Sequence, residues 1–192
     1  DEMSVSQIEH ILNLNVRASM IETMEATKYM TTGGRIVYIG SAFGARAPFP
    51  GISLYAATKA ALRGFAKGVA RDLGPRGITA NVVEPGPIDT DLNPESGEVA
   101  APISSFVATG AYGKVHDIAD LVSFLVSPQA RYKTGAALPV DVGQEASLTP
   151  HHGPPTCPGR ARPHPVRGLP TTPRPASRHS SRTSTAFPPT TR

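Results

Sequence analysis

Short apolar runs rich in β-branched residues alternate along this chain with longer segments in which apolar residues recur at helical spacing. The predicted strands are residues 36–39, 77–83 and 135–141. The predicted helices are residues 4–30, 53–73 and 117–128. Strands that alternate with helices of this length favour a parallel sheet with helical crossovers, so the predicted fold class is α/β.

Three features of the predicted helices stand out. The first helix opens with "SQIE" at Ser6 to Glu9, which has the pattern of a capping box. Asn15 lies inside the same helix, where a short amide competes with the backbone for hydrogen bonds and is a poor choice. The apolar face predicted for the second helix consists of Leu62, Phe65, Ala66, Val69 and Leu73.

In open parallel sheets the binding sites lie at the carboxyl ends of the strands. Ser41, the segment Pro85 to Thr90, and Asp141 each follow or end a predicted strand. We therefore expect functional residues among these three positions.

The charge of the chain is unevenly distributed. The net charge is +4, yet residues 1–149 hold fifteen Asp and Glu against twelve Lys and Arg, and residues 150–192 hold seven Arg and no acid. Residues 150–192 also contain eleven Pro and lack periodic apolar spacing, which predicts a disordered tail after a domain at 1–149. The basic character belongs to the tail, so no nucleic-acid partner is expected.

Cysteine content and hydropathy indicate the cellular compartment in which the protein is expected. Cys157 is the single cysteine, which excludes an intrachain disulfide framework. No apolar run approaches the roughly 18 residues of a transmembrane helix, and no leader pattern precedes the domain. The expectation is a cytoplasmic protein with no membrane partner.

The stretch "SLYAATKAAL" places Tyr55 four positions before Lys59, so both side chains share one helix face. A nearby ammonium favours the charged form of a phenol and lowers its pKa, which suits proton transfer near neutral pH. In an isolated Tyr/Lys pair the tyrosine usually packs and the lysine usually faces solvent. The residues around this pair therefore determine whether a catalytic role is predicted.

The sequence motifs around the Tyr/Lys pair are specific when they are taken together. Ser41 ends "RIVYIGS" fourteen residues before Tyr55, and "NVVEPGPIDT" follows the helix. Taken together these motifs resemble the short-chain dehydrogenase/reductase family over about residues 4–147, in particular its 3-oxoacyl carrier-protein reductases. The resemblance implies a Rossmann-type doubly wound parallel sheet.

The resemblance also implies catalytic roles. Tyr55 would be the proton donor to a substrate carbonyl, and Ser41 would hydrogen-bond the same oxygen. Lys59 would lower the tyrosine pKa and bind the nicotinamide ribose. Asn15 would hold a helix irregularity and a water that links the lysine to solvent, with Asn13 as a rival for that position.

The cofactor implied is NADP or NAD, with NADP slightly favoured. Beside Tyr55 and Lys59, the implied cofactor contacts come from the loop after the second strand, at Pro85, Gly86, Ile88 and Thr90. The implied substrate is a small carbonyl or alcohol, and the implied assembly of the complete protein is a homodimer or tetramer. Val142 stands where the family usually has a glycine, which predicts a strained turn.

The family's TGxxxGxG turn and NNAG turn do not occur in this sequence. The expectation is therefore the carboxyl half of a reductase, without most of its cofactor site. Two alternatives remain open: a catalytically inert fragment or binding protein derived from the family, and an interaction protein acting through its Pro/Arg tail.

Three further patterns in the sequence are weaker. The side chains of His151, His152, Cys157 and His164 fit no closed zinc site, so no metal is expected. "RGLPTTP" at 167–173 matches a polyproline ligand, as chance would produce in such a tail. A serine-hydrolase set of Ser41, His116 and Asp117 lacks a nucleophile elbow.

Overall fold

The computed structural model describes residues 3–98 and 100–146. These residues belong to the first of two units of the chain, Asp1–Pro155, and the second unit, Thr156–Arg192, lies outside the described residues. The predicted disordered tail, its histidine and cysteine side chains and its polyproline pattern also lie outside them. The domain boundary between 149 and 150 stays a prediction.

The described residues form a three-stranded sheet flanked by helices. The strands are β1 (Arg35–Ile39), β2 (Thr79–Pro85) and β3 (Ala137–Val140). The helices are α1 (Val5–Leu12), α2 (Ala18–Ala26), α3 (Ser53–Leu73), α4 (Ala100–Ser104) and α5 (Val115–Val126). The strand order is β1-β2-β3, and both pairs are parallel. The predicted α/β class with a parallel sheet is confirmed.

The first predicted helix differs from expectation in how it begins. Its capping box is formed by Ser4 and Gln7: the Gln7 N–H donates to Ser4 Oγ at 3.2 Å, and the Ser4 N–H donates to Gln7 Oε1 at 2.8 Å. The predicted box at Ser6 and Glu9 is wrong, because the helix begins at Val5 and Ser6 already lies within its first turn.

The same helix is also interrupted. A π-helical turn at Asn13–Arg17 separates α1 from α2, and α2 ends at Ala26, short of the predicted residue 30. A π-turn inserts one extra residue per turn and often marks a functional site. Asn15, which is a poor choice for a regular helix, therefore lies in the middle of this π-turn.

Strand β2 lies between two apolar clusters, one on each face of the sheet. On one face Ala80 and Val82 pack with Leu62, Ala66 and Val69 of α3. On the other face, the buried members are Val83, Leu125 and Ala130. Helix α3 has the predicted bounds and the predicted apolar face. Both faces of β2 are therefore covered: Thr79 to Glu84 are buried, and Pro85, at the carboxyl end, is the residue of the strand that is partly exposed.

Candidate active site

Ser41 lies just beyond the carboxyl end of β1 and caps a short 3₁₀ turn, Ala42–Gly44. Its hydroxyl oxygen accepts a hydrogen bond from the Phe43 N–H at 3.2 Å, and the residue is buried. Since the oxygen acts as the acceptor in this contact, the Ser41 hydroxyl proton remains available for another acceptor.

Tyr55 and Lys59 lie on successive turns of α3, at its amino-terminal end. The Lys59 Nζ atom is 5.7 Å from the Tyr55 ring centroid and donates a hydrogen bond to the Ile39 carbonyl at 3.0 Å. Partial burial lowers the pKa of Lys59, because desolvation disfavours the charged ammonium. The lysine therefore ties the start of α3 to the last residue of β1.

Asn15 contacts the same region of α3 from the π-turn. Its Nδ2 donates to the Thr58 hydroxyl at 3.2 Å, and that hydroxyl donates to the Tyr55 carbonyl at 2.8 Å. Thr58 is fully buried. Asn13, the rival position, is exposed. The structure thus places Asn15, and not Asn13, against the helix turn that carries the Tyr/Lys pair.

A cavity of about 290 Å³ opens at the carboxyl end of β1 and β2. It brings together four of the predicted residues: Ser41, Tyr55, Pro85 and Gly86. The remaining lining residues are Phe43, Ile52, Pro87, Asn93, Ile103 and Gln144. A buried hydroxyl and a phenol that is 39% exposed therefore border one space that is open to a ligand.

The other predicted residues lie around this cavity but do not line it. Asn15 and Lys59 line a groove of about 480 Å³ that runs beside β1. Ile88 lines a third cavity, of about 320 Å³, between the loop after β2 and the turn after β3. Thr90 is exposed, and its hydroxyl oxygen accepts from the Asn93 N–H at 3.2 Å.

The loop after β2 is held by backbone contacts. The Asp89 N–H donates to the Gly113 carbonyl at 2.9 Å, and the Gly113 N–H donates to the Pro87 carbonyl at 3.0 Å. The Ile88 carbonyl accepts from Asn93 Nδ2 at 3.3 Å, whereas no residue in the described part of the chain accepts from the Ile88 N–H. Ile88 thus offers a free backbone donor on a fixed loop.

Gly86 is needed for packing inside the protein. A Cβ atom at this position would lie 2.6 Å from the Cα of Asp141, which no side chain tolerates. The Gly86 N–H donates to the Val140 carbonyl at 2.9 Å. The close approach that requires glycine at this position is therefore an approach to the turn after β3.

That turn contains the strain predicted from sequence. Val142 has φ of 47°, the single positive φ among the non-glycine residues that the structure describes. Its carbonyl accepts from the Ala108 N–H at 3.1 Å. A β-branched residue in this conformation is unfavourable, as expected for a position that suits glycine.

Sequence reasoning missed an ionic network below the site. Arg63 of α3 makes a two-pronged ion pair with Glu84 of β2, whose side chain is fully buried, and a second pair with Glu145 at 2.9 Å. It also missed Gln144, which lines the cavity. These residues are far apart in sequence and belong to no short motif, so no local pattern indicated them.

The described part of the chain has neither a cluster of metal-ligating side chains nor a membrane-spanning helix. Within residues 3–98 and 100–146, no three or more His, Cys, Asp or Glu side chains are grouped so that they could hold a metal ion. Over the same residues, no helix combines the length and the apolar character that a membrane crossing requires.

Known proteins match this chain in sequence and in fold. A family model described as Enoyl-(Acyl carrier protein) reductase matches residues 1–145. A short chain dehydrogenase of Burkholderia cenocepacia J2315, solved in complex with NADP, is 47% identical with a TM-score of 0.74, covering 75% of this chain and 59% of that one. The chain belongs to the short-chain dehydrogenase/reductase family. The predicted family and its Rossmann-type sheet are confirmed.

Two curated relatives of this chain have names that describe different functions. The cyclic-di-GMP-binding biofilm dispersal mediator protein of Escherichia coli K12 is 44% identical over 140 residues, which are 73% of this chain and 59% of that protein. A 3-oxoacyl-[acyl-carrier-protein] reductase of Rickettsia bellii is 38% identical over 144 residues, with the same coverage. The chain thus spans about three fifths of the length of these relatives.

Proposed function

We propose that the protein is an NAD(P)-dependent oxidoreductase that interconverts a carbonyl compound and an alcohol, with Tyr55 as the proton donor. The observation that carries this proposal is the shared cavity of Ser41 and Tyr55 at the carboxyl end of the sheet. A phenol and a hydroxyl bordering one space can both hydrogen-bond the oxygen of a bound carbonyl. The family membership supports the same chemistry.

In the reducing direction, Tyr55 gives its proton to the carbonyl oxygen as the oxygen gains charge, and in the oxidising direction it takes the proton back. Ser41 donates its hydroxyl proton to the same oxygen and stabilises that charge. Its contact with the Phe43 N–H leaves this proton free and fixes the position of the oxygen atom.

Lys59 supports the tyrosine by charge. One of its three ammonium protons is bound to the Ile39 carbonyl, so two donors remain for a ligand. The ammonium lies 5.7 Å from the centroid of the Tyr55 ring, so its positive charge stabilises the negative charge that forms on the phenol oxygen when the proton is transferred. Asn15 holds the helix turn in place through Thr58.

The residues present fit the nicotinamide end of a dinucleotide. The Ile88 N–H lacks a partner among the described residues, which suits a carboxamide oxygen, and the two free Lys59 donors suit ribose hydroxyls. Gly86 and Thr90 lie on the same loop as Ile88, directly after Pro85, the last residue of β2. The cofactor, when bound, supplies or accepts the hydride. We infer NADP in preference to NAD, as in the complex of the Burkholderia relative.

The cavity is small and has both polar and apolar walls, so the proposed substrate is a small-molecule carbonyl or alcohol. A homodimer or tetramer in the cytoplasm is the proposed state of the complete protein.

Because the chain spans three fifths of its relatives, the test uses this chain joined in frame to the matching amino-terminal part of the Escherichia coli relative. Consumption of NADPH and of NADH is followed with a panel of small ketones and aldehydes. Carbonyl-dependent consumption, faster with NADPH, is expected. Saturable cofactor binding without turnover of any carbonyl would contradict the proposal and favour a binding protein derived from the family.

A further inference from the structure

Gln144 lies in the turn after β3 and is 3% exposed. Neither its Oε1 nor its Nε2 has a hydrogen-bond partner among the described residues. Most buried polar groups in proteins are paired, and one left unpaired is costly. A side-chain amide with both ends buried and free therefore indicates a missing partner.

The position of Gln144 is fixed. Its N–H donates to the Asp141 carbonyl at 3.0 Å, and its carbonyl accepts from Arg46 Nη1 at 3.2 Å. On either side, the N–H groups of Gly143 and Glu145 donate to the Asp141 carboxylate at 3.1 Å and 2.6 Å. The backbone is bonded at and around this residue, so its unpaired amide is not the result of a loose turn.

The surroundings of Gln144 include the proposed reaction centre. The residue lines the same cavity as Ser41 and Tyr55, whose hydroxyl groups we assign to the reacting oxygen. Phe43 and Ile103 supply apolar wall to this cavity, and the Phe43 ring meets the Tyr55 ring edge-on with centroids 6.5 Å apart. Ser41 and Tyr55 have a task in the proposed reaction, whereas Gln144 has none.

We propose that the Gln144 side-chain amide binds a second polar group of the substrate, separate from the carbonyl that reacts. This inference rests on the proposed function for the location of the reacting carbonyl. It assigns specificity to a ketone or aldehyde that carries an apolar group and, near the carbonyl, a hydroxyl group. An amide both donates and accepts, so it can bond either the oxygen or the proton of that hydroxyl. A substrate lacking the second group leaves the amide unpaired and is disfavoured.

The test measures binding to the 192-residue chain without cofactor, by calorimetry or ligand-observed NMR. The probes are butyrophenone and its analogue with a hydroxyl group on the β-carbon. The wild-type chain should bind the hydroxylated probe about fivefold to tenfold more tightly, the worth of one hydrogen bond. In Gln144→Met, which keeps the side-chain length and removes both polar atoms, this preference should disappear while butyrophenone binding is unchanged.

Two further variants complete the design. Gln144→Glu retains an acceptor and should keep the preference for the hydroxylated probe, and Gln129→Met, at an exposed glutamine, should behave as the wild type. Because Gln144→Met removes two unpaired buried groups, its thermal midpoint should equal or exceed that of the wild type. A lower midpoint would indicate a structural role and overturn the inference.

A preference that survives Gln144→Met, or the absence of saturable binding by either probe, also overturns the inference. Neither result bears on the proposed reaction, which depends on turnover with NADPH and on Tyr55. Conversely, an inactive Tyr55 site would remove the reductase assignment without altering the probe preference.

Discussion

The side-chain amide of Asn15 donates a hydrogen bond to the hydroxyl of Thr58, 3.2 Å away, and so joins the π-turn to helix α3. Thr58 lies between Tyr55 and Lys59 in the sequence, and its hydroxyl donates a second hydrogen bond to the Tyr55 carbonyl. The distortion of the first helix is therefore connected to the backbone that carries the proposed acid.

Asn15→Leu should remove the contact with Thr58 while keeping a side chain of similar size. Because Thr58 still bonds the Tyr55 carbonyl, the expected cost in the free energy of unfolding is about 1 kcal/mol. The control is Asn13→Leu, at the exposed asparagine two residues earlier, which should change stability by less than about 0.5 kcal/mol. Equal effects in urea denaturation would contradict the assignment of the contact to Asn15.

Tyr55→Phe should abolish carbonyl reduction in the chain completed with a relative's amino-terminal part, while cofactor affinity remains nearly the same. The phenyl ring keeps the packing against Phe43 and loses the transferable proton, which is worth at least about a hundredfold in rate. Tyr132→Phe, at a tyrosine that is 99% exposed, is the matched control. A Tyr55→Phe rate above about a tenth of the parent rate would remove Tyr55 from its role.

Arg63→Met should strongly destabilise the fold, because it leaves the buried carboxylate of Glu84 without its cation. The expected loss is about 3–5 kcal/mol in the free energy of unfolding. The double variant Arg63→Met, Glu84→Met should recover much of that loss, since no buried charge remains. Breaking the exposed Glu25–Lys28 pair by Glu25→Gln should cost less than about 1 kcal/mol. Similar losses for both pairs would show that burial is not the cause.

Val142→Gly should stabilise the protein. Glycine adopts the positive φ of this position without the cost that a β-branched residue incurs, and the Val142 side chain is 40% exposed, so little burial is lost. The expected gain is about 1 kcal/mol, measured by denaturant unfolding. Val126→Gly, at the exposed end of α5, should instead destabilise. A loss of stability at position 142 would mean that the turn is not strained.

Lys59 should titrate at lower pH than Lys114 in an NMR titration of the lysine side chains. Burial lowers the pKa of Lys59, whereas hydrogen bonds to Glu95 and Asp89 raise the pKa of Lys114. Between the lowered pKa of folded Lys59 and its unfolded value near 10.4, the unfolded chain binds more protons. The contribution of Lys59 to stability should therefore rise with pH across that window. The reverse order of titration would contradict the burial argument.

The sequence predicted the parts of this protein that local chemistry determines. Helix α3 has the predicted bounds because its apolar spacing and the Gly74-Pro75 stop agree. The strain at Val142 followed from the glycine that the family usually has at this position and from the dislike of a β-branched residue for positive φ. Asn15 was conspicuous because its short amide side chain suits no regular helix. The family motif predicted that Ser41 and Tyr55 act on the same substrate oxygen, and both residues line one cavity.

Other features depend on tertiary contacts. Both Ser4-x-x-Gln7 and Ser6-x-x-Glu9 fit the capping pattern, and the choice between them is set by where the helix begins. The pairing of Arg63 with Glu84 and the burial of Gln144 join segments that are distant in sequence. Charge and hydropathy along the chain carry no information about such pairs.

The parallel sheet has a consequence for how the chain folds. Each strand pairs with one that follows only after a full crossover, so that Val37 meets Asn81 and Val83 meets Leu138. Closing such long loops costs entropy before any pairing energy is gained, and folding rates fall as contacts become more distant in sequence. During synthesis, the pairing of β1 with β2 forms only after β2 has emerged, and the pairing of β2 with β3 only after β3 has emerged. The cavity of the candidate active site, which the ends of β1 and β2 border, is therefore complete only after the crossover between these strands has closed.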